Sequence, residues 1–192
     1  MKILFATANQ NKAFEIQKLL PENFEIITLK DIPIKEDIPE TSDTIEGNAR
    51  QKAEYIAQHF DMDCFADDTG LEIDALNGEP GVYSARYAGK EKNPENNMNL
   101  VLDKMENISN RKARFKTVIA LYFKKEMYFF EGIIDGTIRT ERAGEEGFGY
   151  DPIFEPENCG KTFAELTIEE KNKMSHRARA FDKMVKFLNQ IQ

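Results

Sequence analysis

Apolar positions along the chain form short runs and helical stripes, and these predict its elements. Residues 2–7 are a short apolar run that reads as a buried strand, and residues 13–20 follow with helical spacing until Pro21. The polar stretch TANQNK between them reads as a loop joining strand to helix. Residues 25–29 predict a second strand, and residues 33–39, with mixed charges, a loop. Ile45, Ala49, Ala53, Ile56, Ala57 and Phe60 recur at intervals of three and four, so they share one face of a helix running from about Asp43. Glu40 stands just ahead of its first turn.

Residues 64–67 and 71–76 read as two strands flanking an acidic corner, with DDTG at a strand end because Thr-Gly is a turn signal. A helix follows over residues 93–105, where Asn93-Pro94 suits a helix start and Met98, Val101, Leu102 and Met105 share one side. Residues 113–123 and 127–140 read as long strands of a hairpin turning around Lys124, Lys125 and Glu126. After the glycine-rich GEEGFGYDP, Thr167 and Glu170 have capping-box spacing, and Phe181, Met184, Val185 and Leu188 supply a last apolar stripe. Strands and helices interleave without a strict βαβ rhythm. The prediction is one α/β domain over residues 1–192, with a mixed, twisted sheet flanked by helices, a hairpin-rich second lobe and a ligand cleft between lobes.

Composition narrows the function. With 192 residues, 41% hydrophobic and 31% charged, the chain has the make-up of an ordinary globular protein. Its formal charge of −8 argues against a general nucleic-acid binder, which displays a basic face to phosphates. An acidic nucleotide enzyme remains open, since carboxylates that hold a metal ion present that ion's charge to phosphates. Cys64 and Cys159 stand without a CxxC pair, so neither a zinc site nor a disulfide framework is suggested and a reducing cytoplasm fits. The apolar run at residues 3–6 is too short for a signal-peptide core or a membrane span.

Four stretches carry candidate chemistry, each with a plainer alternative. In TANQNK a hydroxyl, backbone amides and a lysine would converge on phosphate; the alternative is an Asn-capped helix start. Glu40, Asp67 and Asp68, with Glu72 and Asp74 further along, form an acidic set able to hold Mg²⁺ or accept a proton from water. Adjacent strand residues point to opposite faces, so at most one aspartate of the pair faces a given cleft squarely, which leaves a structural place for the other; an Asx turn is the alternative. In GFGYD, glycines permit close backbone approach and Phe148 or Tyr150 would stack on a base, against the reading of a mobile glycine loop. In EEKNKMSHR, Lys171 and Arg177 would project two cations beside a helix start capped by Ser175, against a solvated helix junction.

Together the stretches FATANQNK, ETSDTIEGNARQKA, FADDTGLEIDALNGEPGVYSARYAG, GFGYDPIF and FAELTIEEKNKMSHRARAF resemble, in order and over nearly the whole chain, the inosine triphosphate pyrophosphatase family. The resemblance implies an elongated twisted sheet, a nucleotide cleft between two lobes, a homodimer, and Mg²⁺-dependent cleavage of ITP, dITP and XTP to monophosphate and pyrophosphate. It implies further that Asp68 is the proton acceptor and a Mg²⁺ ligand, with Glu40 assisting the metal. Thr7, Ala8, Asn9, Gln10, Asn11 and Lys12 would embrace the phosphates and Thr69 touch the substrate. Phe148, Gly149, Tyr150 and Asp151 would contact the base, with Lys171, His176 and Arg177 completing the site. Lys12, Lys171 and Arg177 would offset charge on the triphosphate and leaving group.

Four positions depart from the commonest family pattern: Ala8 and Ser42 stand where Gly is usual, Gly47 where Glu is usual, and Thr69 where Ser is usual. Gly47 leaves a second acidic contribution in doubt, and restoring it by Gly47→Glu is the natural test of Mg²⁺ affinity. The rivals are a pyrophosphatase for modified pyrimidine nucleotides, separated by a substrate panel, and a non-catalytic nucleotide sensor, which would release no pyrophosphate.

Overall fold

The computed structural model describes residues 2–19, 24–34 and 38–191. One sheet holds seven strands: β1 (Lys2–Phe5), β2 (Glu25–Thr28), β3 (Cys64–Ile73), β4 (Pro80–Gly81), β5 (Lys112–Phe123), β6 (Glu126–Ile138) and β7 (Phe154–Pro156); the predicted runs account for β1, β2, β3, β5 and β6, and the short β4 and β7 carry no apolar run that predicts them. The stripes become helices α1 (Gln10–Leu19), α2 (Ile45–Phe60), α3 (Pro94–Lys104), α4 (Ile168–Asn172) and α5 (His176–Gln190). Strand order is β2-β1-β3-β5-β6-β7, with β4 paired to β3. The sheet is mixed as predicted: β1 runs parallel to β2 and β3, whereas β3/β4 and β6/β7 are antiparallel.

The chain divides into two compact units, each drawn from separate stretches of sequence. Unit 1 comprises Met1–Asp68, Thr117–Gly132 and Arg177–Gln192; unit 2 comprises Thr69–Lys116 and Ile133–His176. Unit 1 buries Ile3 and Phe5 of β1 against Ile16 of α1, Phe65 of β3, and Phe181, Met184 and Leu188 of α5, so the last predicted stripe is a core face. Phe5 and Phe65 stack with ring centroids 4.5 Å apart. The turn between β5 and β6 also lies in unit 1, where Lys124 and Lys125 both take positive φ (51° and 68°). That is the conformation of a two-residue type I′ hairpin, reached here without the usual Asn-Gly. Unit 2 buries Leu71 and Ile73 of β3 against Met98 and Val101 of α3, with Phe115, Phe154 and Phe163 alongside. Asn93 caps α3 by accepting from the Asn96 N–H (3.1 Å), ahead of Pro94 in the first turn. The Thr167/Glu170 capping box opens α4 as predicted.

Three expectations change. The DDTG segment is not a corner between two strands, because β3 runs unbroken from Cys64 to Ile73 and the chain leaves it for a 3₁₀ turn only at Asp74–Leu76. The local turn signal of Thr-Gly is overridden because both aspartates find cationic partners from distant sequence, which an Asx turn would forfeit. TANQNK is only half a loop: α1 already begins at Gln10, and Asn9 Oδ1 accepts from the N–H groups of Asn11 (3.0 Å) and Lys12 (3.3 Å). The capping reading of this stretch therefore holds. Helix α2 starts at Ile45 rather than Asp43, with Thr44 as its cap. The predicted helix stop at Pro21 and part of the predicted 33–39 loop lie outside the described residues.

Gly47, in the first turn of α2, donates its N–H to Thr44 Oγ1 (3.0 Å) and lies against Ser42. A Cβ at position 47 would overlap the Ser42 side chain, whose own Cβ would lie 2.7 Å away. Two departures from the family pattern are thus complementary: Ser42 fills the space that a side chain at 47 would need. Gly→Ala in a helix ordinarily gains about 0.5–1 kcal/mol. Here the overpacking cost of roughly 1–3 kcal/mol prevails. Gly47→Ala is expected to lower the urea midpoint, and adding Ser42→Gly to recover part of the loss; a single variant more stable than wild type would contradict the coupling. The Gly47→Glu test of metal affinity accordingly needs Ser42→Gly beside it.

Candidate active site

Unit 1 gathers an alternating set of charges around β3. Asp67 is buried and accepts from Lys12 Nζ (Oδ1 at 3.1 Å, Oδ2 at 3.0 Å) and from Arg177 Nε (Oδ2, 3.3 Å). Arg177 also pairs with Glu15. Burial pushes the Asp67 carboxyl up, but Lys12, Arg177 and Lys52 outweigh it and hold Asp67 at about 2, a permanent carboxylate. Glu15 lies one turn beyond Lys12 on α1, so one helix start supplies a cation to one end of this chain of charges and an anion to the other.

Asp68 takes different partners. Asn48 Nδ2 donates to its Oδ2 (3.3 Å), and Lys52 Nζ stands 3.8 Å from its Oδ1. Lys52 also binds Glu40 Oε1 at 2.5 Å, so a single ammonium stands between the two carboxylates named from the sequence as metal ligands. Burial raises the Asp68 carboxyl above its ordinary range; Lys52 and Lys12 pull it down, while Glu40 and Asp67 add to the rise. For Lys52 burial works downward, and Asp68 and Glu40 more than reverse it. The two aspartates thus divide as expected from strand alternation. Asp67 is locked as a salt-bridged anion, and Asp68 is the more basic carboxylate.

Thr7, half-buried, accepts from the Asn9 N–H through Oγ1 (3.2 Å), and Ala8, Asn9, Gln10 and Asn11 are exposed at the start of α1. They precede Lys12 on a helix N-terminus, where the backbone dipole favours anions. The amides of Asn9, Asn11 and Lys12 already have side-chain acceptors, so the hydroxyl and amides predicted to converge on phosphate are partly engaged with one another.

Unit 2 holds the remaining predicted residues. Asp151 is buried and its Oδ2 accepts from Lys171 Nζ (2.7 Å) and from the Phe148 N–H (2.8 Å). Lys171 Nζ also lies 5.0 Å from the Phe148 ring centroid and 5.3 Å from that of Phe163. Gly147 makes the loop possible: its φ is +77°, and a Cβ there would overlap the Asp151 carboxylate. Gly149 follows with φ of +65°. His176 is buried, its ring stacked on Phe115 at 4.7 Å. Thr69, half-buried, follows Asp68 on β3.

Two expectations about these side chains change. Lys171 and Arg177 do not project together as one surface anion site; both are buried, Lys171 on Asp151 in unit 2 and Arg177 on Asp67 and Glu15 in unit 1. A buried cation demands a paired anion, and Lys171 and Arg177 find theirs at Asp151, Asp67 and Glu15, far off in sequence. Tyr150 is a strut, since its ring is 5% exposed and its hydroxyl donates to the Ser84 carbonyl (2.7 Å). Phe148, half-buried, is the aromatic of that loop with surface to offer. The sequence reading also missed Asn48, Lys52 and Glu15. Asn48 and Lys52 were visible as two polar residues one turn apart beside the Ala49/Ala53 stripe, buried with it; Glu15 carried no comparable signal.

A metal ion would find two hard oxygen ligands here, Glu40 and Asp68, already gathered around one cationic group. Among the described residues no cluster of three or more His, Cys, Asp or Glu forms a metal site. Two carboxylates fit Mg²⁺, which usually binds one or two and completes its shell with water and substrate phosphates.

Known proteins resemble this chain in sequence and in fold. The model of the Ham1 family matches residues 3–187. A protein of Flavobacterium johnsoniae named dITP/XTP pyrophosphatase is 57% identical over 188 residues, covering 98% of each chain. The Ham1 protein structure from Staphylococcus aureus superposes with a TM-score of 0.91 at 39% identity over 100% of both chains. A HAM1 protein from Coxiella burnetii gives 0.91 at 37% identity over 99% of both. With sequence and fold matched from end to end, the chain belongs to the Ham1 family.

Proposed function

We propose that this protein hydrolyses dITP, ITP and XTP to the nucleoside monophosphate and pyrophosphate, clearing them from the cytoplasmic nucleotide pool. The observation that carries the reading is the Glu40–Lys52–Asp68 set, a carboxylate of raised basicity held beside a second carboxylate and a lysine. Relatives named for dITP/XTP cleavage, at up to 57% identity over nearly the full chain, supply the substrate class.

In this reading Asp68 orients a water and takes its proton as the oxygen attacks the α-phosphorus. Lys12 and Lys52 offset the charge that builds on the phosphates, with their own carboxylate partners keeping them in place. Thr7 and the exposed start of α1 receive the phosphate tail. Mg²⁺, held by Glu40 and Asp68, would supply charge neutralisation of the triphosphate. Base recognition is assigned to Phe148 with Gly149 and the Asp151–Lys171 pair, and Thr69 and His176 are assigned to substrate contact. Arg177 acts from behind, through Asp67. A site that hydrogen-bonds a 6-keto purine leaves groups unpaired against a 6-amino one, which makes ATP and dATP poor substrates.

The test is product analysis with Mg²⁺ over dITP, XTP, ITP, GTP, dATP and a modified pyrimidine triphosphate. Pyrophosphate from the first three, at kcat/KM well above dATP and the modified pyrimidine, is expected. Orthophosphate would reject the reaction class; preference for the pyrimidine would reject the substrate class; binding without any product would leave a nucleotide sensor. Dimerisation, proposed from the resemblance, is checked by light scattering.

A further inference from the structure

Asp68 can act on a water only if its carboxylate plane is fixed, because a carboxylate rotates about its last bond at little cost. Two residues of α2, one turn apart, address its two oxygens separately. Lys52 stands 3.8 Å from Oδ1, and Asn48 Nδ2 donates to Oδ2 at 3.3 Å. The lysine is shared, since it lies closer to Glu40 at 2.5 Å. Asn48 is dedicated. It is 1% exposed, and its other end is pinned: Oδ1 accepts the Ser42 backbone N–H at 2.9 Å.

That second bond decides which way the amide faces. A backbone N–H can only donate, so the Asn48 oxygen must point to Ser42, and the NH₂ is left facing Asp68. Ser42 is itself held in the turn that caps α2, where its Oγ accepts from the Thr44 N–H at 3.2 Å and Thr44 Oγ1 accepts from Gly47. The path from the cap to Asp68 is therefore covalent backbone, one amide and one carboxylate, without a freely rotating group in between.

We infer that Asn48 is a positioning residue for the Asp68 carboxylate, its amide orientation imposed by the turn at Ser42. The inference rests on the proposed pyrophosphatase reading for its kinetic consequence and on geometry alone for the contact. Asn48→Asp is the informative variant. It keeps an oxygen for the Ser42 N–H and nearly the same volume, and when ionised it puts a negative charge in place of the donor to Asp68, so kinetics are read at a pH above the titration of both carboxyls. Asn48→Ala removes both ends.

The experiment measures kcat and KM for dITP with Mg²⁺ in wild type, Asn48→Asp and Asn48→Ala, beside urea unfolding of each. It adds the Asn48 side-chain NH₂ resonances of wild type and Asp68→Ala by NMR. A misdirected reacting group costs up to about a hundredfold, so kcat of Asn48→Asp is expected to fall by about tenfold to a hundredfold with KM within about twofold. The NH₂ resonances are expected to move when residue 68 loses its carboxylate. A kcat for folded Asn48→Asp within twofold of wild type overturns the inference, as does an NH₂ pair indifferent to Asp68→Ala. Wild-type protein that cleaves none of the panel would instead sink the pyrophosphatase reading and the kinetic role with it, while the NMR comparison still decides whether the contact exists.

Discussion

Asp68→Asn is expected to fold as wild type does and to lose dITP turnover by about 10²–10⁴, the share that a positioned general base contributes. The two halves of this expectation have separate grounds. Burial disfavours the Asp68 charge, so a neutral isostere relieves part of that penalty and stability should change little. The amide keeps one oxygen for Asn48, and Lys52, 3.8 Å from the other and closer to Glu40, retains that carboxylate, so the local geometry persists. What disappears is the group able to take a proton. Steady-state kinetics alongside urea unfolding make the check. Turnover within tenfold of wild type would remove Asp68 from the chemistry, and a collapse of stability would make it a structural residue.

Arg177→Met carries the largest stability effect expected in the chain. The guanidinium is 2% exposed and joins Asp67 of β3 to Glu15 of α1. Its removal takes one positive partner from each of two buried carboxylates, with Lys12 remaining on Asp67. Breaking a buried pair from one side typically costs about 3–5 kcal/mol, far more than the pair itself is worth against an apolar replacement. Glu15→Gln beside Arg177→Met removes one of the stranded charges and should recover part of the loss. A urea-derived loss below about 1 kcal/mol for the single variant would show that the network contributes little.

These two residues also mark what the sequence could and could not disclose. Patterns with short period came through: the Ile45/Ala49/Ala53/Ile56 face, the Asn93-Pro94 start, the Lys124-Lys125 hairpin and the Thr167/Glu170 box are all present, because each depends on neighbours within a few residues. The family motifs pointed to Asp68, Glu40 and Lys12, and the fold brings these into unit 1 together. What stayed hidden is the pairing of charges. Lys12 and Asp67 are 55 residues apart, Asp67 and Arg177 110, and Arg177 and Glu15 162. No periodicity links such positions. Without them, Asp67-Asp68-Thr69-Gly70 looked like a turn, and Arg177 like a surface cation. The continuous β3 strand and the buried guanidinium are two consequences of the same long-range compensation.

Hydrolysis of dITP in ¹⁸O-labelled water, with both products analysed by mass spectrometry, tests most directly whether the Asp68 cluster delivers water to the α-phosphorus. The account predicts one ¹⁸O in the deoxyinosine monophosphate and none in the pyrophosphate. Label in the pyrophosphate, or release of orthophosphate in its place, would contradict it.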